Sequence, residues 1–171
     1  MKPIRLVALG EVERRLLDVV RASLIREYRA KCEIDSRPID PSAAYHPERN
    51  QYHSTHLVEQ LTRLDGGTER LLGVAAVDLF IPILTFVFGE AQLAGSCAVV
   101  SYHRLHQSFY GLPPDESLLK DRLAKEAVHE MGHTFGLRHC EDYECVMAAS
   151  HSVEWLDVKG AALCFECRSK V

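Results

Sequence analysis

The chain has 171 residues, a formal net charge of -4, a pI near 6.1, and 47% hydrophobic residues. That length suits one compact domain with a real core, and the charge gives no global electrostatic footprint for nucleic acid or for an acidic membrane surface. The six cysteines would fit a secreted disulfide protein, but the apolar run Leu6 to Leu9 is too short for a signal-peptide core. A reducing, cytoplasmic compartment is therefore expected, with clustered cysteines serving metals.

Ile4 to Leu9 is a short branched apolar run ending at Gly10 and reads as a buried strand. Glu11 to Arg29 reads as an amphipathic helix with Leu16, Leu17, Val20 and Leu24 on one face. Cys32 to Ile39 reads as a second strand, and Asp40 to Gln51, with Pro41, Pro47 and Asn50, as a surface loop. His46, His53 and His56 lie in or just beyond that loop. They make no ligand quartet, and solvated or hydrogen-bonded histidines are favoured over a further metal site.

Ser54 to Leu64 reads as a helix stopped by Gly66 and Gly67. The apolar stretch Leu71 to Gly89 approaches membrane-spanning length, yet Asp78 and Pro82 interrupt it, and two buried strands joined by a turn fit better. Strands are expected over Arg70 to Asp78, Thr85 to Gln92 and Ser96 to His103. Alternation of strands and helices predicts a largely parallel sheet. The link Leu93-Ala94-Gly95 is too short for a crossover, so one strand should run antiparallel at an edge. Such an edge either binds an extended peptide by strand addition or is covered by a loop. His103, Arg104 and His106 follow the last strand among aromatics; they are candidates for the border of a pocket, although loop histidines beside aromatics more often have no chemical role.

Asp115 or Ser117 can cap a helix over Leu118 to Phe135, whose stripe Leu119, Leu123, Ala127 and Met131 faces the core. On its last turns stand His129, Glu130 and His133. Histidines four apart share a helix face and can reach one ion, and Glu130 beside them can take a proton from a water acidified by zinc. Gly136 can turn the chain through positive φ and bring His139 in as a third ligand, leaving the open position of a catalytic site. A chance match to this pattern in a chain of this size is on the order of one in ten thousand.

Cys140, Cys145, Cys164 and Cys167 follow. Four thiolates in two pairs suggest a closed structural zinc site; a disulfide arrangement or a redox-active Cys164/Cys167 pair are the alternatives. Because Cys140 adjoins His139, a metal that fixes the cysteines also fixes the third histidine. Met147 either floors the metal site or fills the core, His151 and Trp155 are candidates for a cleft wall, and Cys32 and Cys97 read as buried apolar residues.

The pattern His129, Glu130, His133, Gly136, His139 and Met147, together with Cys140, Cys145, Cys164 and Cys167, resembles the metzincin clan and within it the archaemetzincin family. Asp78 to Pro82 and Phe86 to Glu90 resemble it too. The resemblance implies an α/β (α+β, zincin-like) fold: a mixed, mostly parallel twisted sheet with an antiparallel edge strand, packed helices, an active-site helix and a small C-terminal zinc-bound subdomain. Residues 1–171 would form one catalytic domain, with about 1–136 as the upper part and about 137–171 as the lower.

It further implies two zinc ions: a catalytic one on His129, His133 and His139 with Glu130 as general acid/base, and a structural one on the four cysteines. Met147 would be the methionine turn. The expected activity is peptide-bond hydrolysis by a monomer acting on peptide or protein substrates, with no nucleic-acid or membrane partner. With no propeptide-like segment before the first strand, a restrictive cleft or weak turnover is expected in place of latency. A rival expectation is a zinc-stabilised peptide-binding protein with little turnover.

Overall fold

The computed structural model describes residues 2–171. Five strands form the main sheet: β1 (Ile4–Leu9), β2 (Cys32–Ile34), β5 (Arg70–Ala75), β7 (Gly89–Ala91) and β8 (Cys97–Ser101), in the order β2-β1-β5-β8-β7. Pairs β1/β2, β1/β5 and β5/β8 are parallel, and β7 runs antiparallel to β8 at the edge. The mostly parallel sheet and its antiparallel edge are as expected from the short link.

Both sheet faces are buried, which explains why the strand sequences read as apolar runs without alternation. Leu6, Leu72, Val74, Ala98 and Val100 pack toward α1 (Arg14–Tyr28) and α3 (Glu116–Thr134). Val7, Leu9, Leu71, Ala75, Cys97 and Val99 pack toward α2 (Ser54–Thr62). Cys32 and Cys97 are both buried. Among the described residues no helix is long and apolar enough to cross a membrane.

Several boundaries differ from expectation, each for a local reason. Helix α1 starts at Arg14, not Glu11, because Gly10 leaves the strand at φ 77° with its N–H on Ile39 O. Strand β2 stops at Ile34, where the Asp35 carboxylate accepts the N–H of Arg37 and turns the chain; Ile39 returns for one bridge to Leu9.

The 40–51 loop is not wholly irregular. Tyr45–His46 (β3) and Gln51–His53 (β4) form a hairpin, with Asn50 at φ 52° supplying the left-handed turn residue, and Leu79–Phe80 (β6) joins them in a second, three-stranded sheet. The apolar stretch 71–89 therefore feeds two different sheets. Its second half is mostly a turn around Pro82 with Ile83 and Leu84 exposed, and the strand expected from Thr85 shrinks to Gly89–Ala91.

Helix α3 carries the motif, and its placement is fixed at both ends. Asp115 caps the start by accepting the Leu118 N–H at 2.9 Å. At the far end, orphan carbonyls of the last turn are taken up by the rest of the fold: Ala94 N–H donates to His133 O (2.9 Å), and Arg70 donates to Thr134 O (2.7 Å) while its guanidinium stacks 4.0 Å from the Phe135 ring. Midway, the buried Tyr28 hydroxyl donates to Val128 O at 2.6 Å, locking α1 to the turn of α3 that carries His129. Tyr28→Phe should cost about 1 kcal/mol, read as a lower urea midpoint at unchanged m-value; an unshifted midpoint would show that the bond carries no net stability.

Candidate metal centre

The three motif histidines converge. One ligand nitrogen from each of His129, His133 and His139 lies within 4.8 Å of the other two, and ring centroids are 4.7, 5.3 and 5.1 Å apart. His129 and His133 are neighbours because they sit one helical turn apart on α3. His139 arrives because α3 ends at Thr134 and Gly136 takes φ 91°, the positive-φ turn expected there.

Two of the imidazoles are oriented by carbonyls. His129 Nδ1 donates to Val146 O at 2.9 Å, and His133 Nδ1 donates to Leu137 O at 2.7 Å, which leaves Nε2 of each facing the centre. Those two Nε2 atoms are 3.1 Å apart. Two nitrogens of a tetrahedral site with bonds of 2.0–2.1 Å stand about 3.3 Å apart, so one small cation fits between them. Burial, before any other cause, lowers the basicity of all three histidines. The shift favours the neutral imidazole, the form that ligates, most strongly for the buried His129 and least for the more exposed His139.

Glu130 is almost fully buried, and that burial raises its carboxyl well above the ordinary carboxylate range, with Glu126 adding like-charge repulsion. It shares with His129 and His139 a cleft of about 370 Å³ that is also lined by Leu84 to Gly89, Glu126 and Ala149 to His151. Edge strand β7 approaches Glu130 closely because Gly89 lacks a side chain: a Cβ there would lie 2.5 Å from Glu130 Cγ.

The four cysteines converge as well. Their sulfurs lie within 4.8 Å of one another, and Cys140 Sγ is 3.9 Å from Cys164 Sγ. Tetrahedral thiolates at 2.3 Å from zinc stand about 3.8 Å apart, which matches. Cys145 Sγ accepts N–H bonds from Met147 (3.4 Å) and Cys164 (3.3 Å), and all six cysteines are free of disulfides. The Cys140 N–H bonds to Met147 O at 3.0 Å, a main-chain link between the cysteine cluster and the segment under the histidines.

Met147 is fully buried beneath α3, its Sδ occupying the space a side chain at Gly132 would need. His151 lines the cleft, and with Trp155, Tyr143 and Val158 it also lines an adjoining apolar recess of about 320 Å³. The remaining histidines stay out of the centre. His53 stacks on His56 at 4.3 Å, His46 meets the Phe80 ring edge-on, and Nδ1 of His46 and of His53 is buried with no hydrogen-bond partner among the described residues. His103 Nδ1 lies 3.2 Å from Ala76 O and its ring against Phe109; Arg104 is paired bidentately with Asp78.

Sequence reasoning missed three polar residues at the site, Glu126 and Lys159 buried and Glu90 partly so. Glu90, on the edge strand, accepts hydroxyl bonds from Ser54 and Thr55 at the start of α2. Glu126 and Lys159 pair at 3.1 Å beneath the cleft. Glu126 was foreshadowed by its position four before Glu130 on the same helix face; Lys159 had no local signal.

A histidine triad opened by a helix turn, a buried carboxylate in the same cleft and a separate four-thiol cluster define a metallopeptidase of the metzincin kind. The chain belongs to Peptidase family M54, the archaemetzincins, which it matches over residues 11–171. It is 39% identical over 163 residues to the archaemetzincin of Methanocaldococcus jannaschii, covering 95% of this chain and 89% of that one. With the archaemetzincin of Pyrococcus abyssi it shares 37% identity over all of this chain and 95% of the other. Among solved structures, an Archaeoglobus fulgidus archaemetzincin complexed with malonate superposes with a TM-score of 0.85 at 36% identity, covering 99% of both chains. A zinc-dependent peptidase from Methanocorpusculum labreanum gives 0.89 at 31% identity, covering 98% of both.

Gly132→Ala should force its methyl group into Met147 and destabilise the fold by about 1–3 kcal/mol, measurable by thermal unfolding. Wild-type stability in that variant would mean that Met147 moves aside without cost.

Proposed function

We propose that this protein hydrolyses peptide bonds, with His129, His133 and His139 holding a catalytic zinc and Glu130 acting as general base and then acid. The observation that carries the reading is the convergence of three imidazoles, two with Nδ1 tied to carbonyls, beside a buried carboxylate in one cleft. A bound zinc supplies a Lewis acid that acidifies a water and polarises the scissile carbonyl.

The chain supplies the rest. Glu130, desolvated by its surroundings, holds the proton taken from the attacking water and returns it to the leaving amine; burial, which raises its carboxyl well above the ordinary range, favours holding that proton between the two transfers. The unpaired side of β7 offers backbone groups to an extended peptide, which orients the scissile bond across the cleft. Met147 packs beneath the histidines as the methionine turn, and His151 lines the cleft wall.

Cys140, Cys145, Cys164 and Cys167 hold a second, structural zinc in this reading. Burial pushes the thiols of Cys145 and Cys167 up, so a dication among them is what keeps them as thiolates. The covalent step from His139 to Cys140 makes this cluster the anchor of the third histidine. A monomer of one catalytic domain, residues 1–171, contains every group this chemistry uses.

Glu130→Gln decides the reading. Cleavage of a peptide library should fall by at least about 100-fold while zinc content stays at the wild-type value; unaltered cleavage by the purified variant would remove Glu130 as the base. Wild-type protein that binds library peptides without cutting them would establish the binding-protein alternative. Metal analysis should find about two zinc ions per chain, and about one after Cys164 and Cys167 are both changed to Ser. A disulfide within the cluster of reduced protein would contradict the second site.

A further inference from the structure

Lys159 is an ammonium group with 2% of its side chain exposed, directly below the histidine centre. Its Nζ donates to Glu126 Oε1 at 3.1 Å and to Ala148 O at 3.1 Å, and stands 3.4 Å from His129 Nδ1. The last contact sets two donors against each other, since His129 Nδ1 already gives its proton to Val146 O. It persists because the other two bonds hold the ammonium there.

Attachment of the C-terminal segment to α3 does not require this pair. Arg122 already grips Asp157 through two 2.6 Å bonds, and Lys125 donates to the carbonyls of Leu156 and Asp157 at the end of α4 (Val153–Val158). Charge burial of this kind is seldom a net source of stability compared with apolar packing. What the pair adds is a connection the other two lack: Ala148 lies two residues past Val146, whose carbonyl orients His129, and Glu126 lies three residues before His129 on the same helix.

We propose that Lys159 and Glu126 are a positioning pair that braces the Val146–Ala148 turn against α3 and thereby fixes the ring of His129 for metal binding. The proposal rests on His129 being a zinc ligand. Removing both charges together avoids leaving one buried and unpaired, so Lys159→Met/Glu126→Leu is the principal variant, with Lys159→Arg as the conservative one.

Three readouts are compared with wild type: zinc affinity of the histidine site by chelator competition, the visible spectrum of cobalt placed there, and kcat against KM. The folded double variant should hold that zinc about 10- to 100-fold more weakly. Its cobalt bands should shift, kcat should fall with KM little changed, and the cysteine-bound zinc should be retained. Lys159→Arg should recover part of the affinity. Wild-type zinc affinity and cobalt spectrum in the double variant would reduce the pair to a structural contact and overturn the proposal, while leaving the peptidase reading intact.

Should the double variant fail to fold, Lys159→Met/Glu126→Gln, which also removes both charges and the ammonium's bonds but keeps a polar group on α3, takes its place; an unshifted cobalt spectrum there has the same overturning force. Absence of metal at the histidines of the wild-type protein would overturn this inference and the peptidase reading together.

Discussion

An imidazole presents a definite nitrogen to a metal only when its other nitrogen is committed elsewhere, and here that commitment is made by two main-chain carbonyls, Val146 O and Leu137 O. Neither belongs to the helix that carries the histidines. The motif by itself places two rings on one face; whether they aim Nε2 at a common point depends on where residues 137–147 run. That path is held by a short series of bonds: Cys140 N–H to Met147 O, Val146 N–H to Ala162 O, and the two N–H bonds into Cys145 Sγ. The cysteine cluster is thus the far end of the same structure that orients His129.

The sheet contributes from the opposite side. Strand β7 contributes Gly89 and Glu90 to the wall facing Glu130, and the turn after it donates the Ala94 N–H to the carbonyl of His133. The antiparallel reversal that makes β7 an edge strand therefore also caps the active-site helix. A wholly parallel sheet would have needed a crossover there, carrying the chain away from the end of α3.

The parts of the site set by covalent spacing were legible in the sequence. His129 and His133 at one helical turn, Gly136 as a left-handed stop, Cys140 next to His139, and the Cys164/Cys167 pair all follow from local geometry that the fold preserved. The parts set by contacts between distant residues were not. Lys159 meets Glu126 across 33 residues, and Glu90 meets Ser54 across 36, with nothing in either neighbourhood to announce the partner. Hydropathy misled in one place: Thr85 to Phe88 read as the start of a strand, but the turn around Pro82 runs on through them, only Val87 makes a single bridge to Leu79, and the strand is confined to Gly89–Ala91.

Helix α3 changes character along its length, and the change explains why the centre lies where it does. Leu119, Leu123, Ala127 and Met131 pack into the apolar core with α1, whereas Arg122, Lys125, Glu126 and Glu130 are equally buried but face the C-terminal segment. Each charge on that second face except Glu130 has a partner from residues 156–159. Glu130 is left with burial raising its pKa and no cation bonded to it among the described residues, while burial and, after it, the nearby Lys159 lower the basicity of His129. A carboxyl inclined to hold a proton and an imidazole inclined not to hold one then stand on adjacent residues, a division of roles that comes from which of the buried charges were paired and which were not.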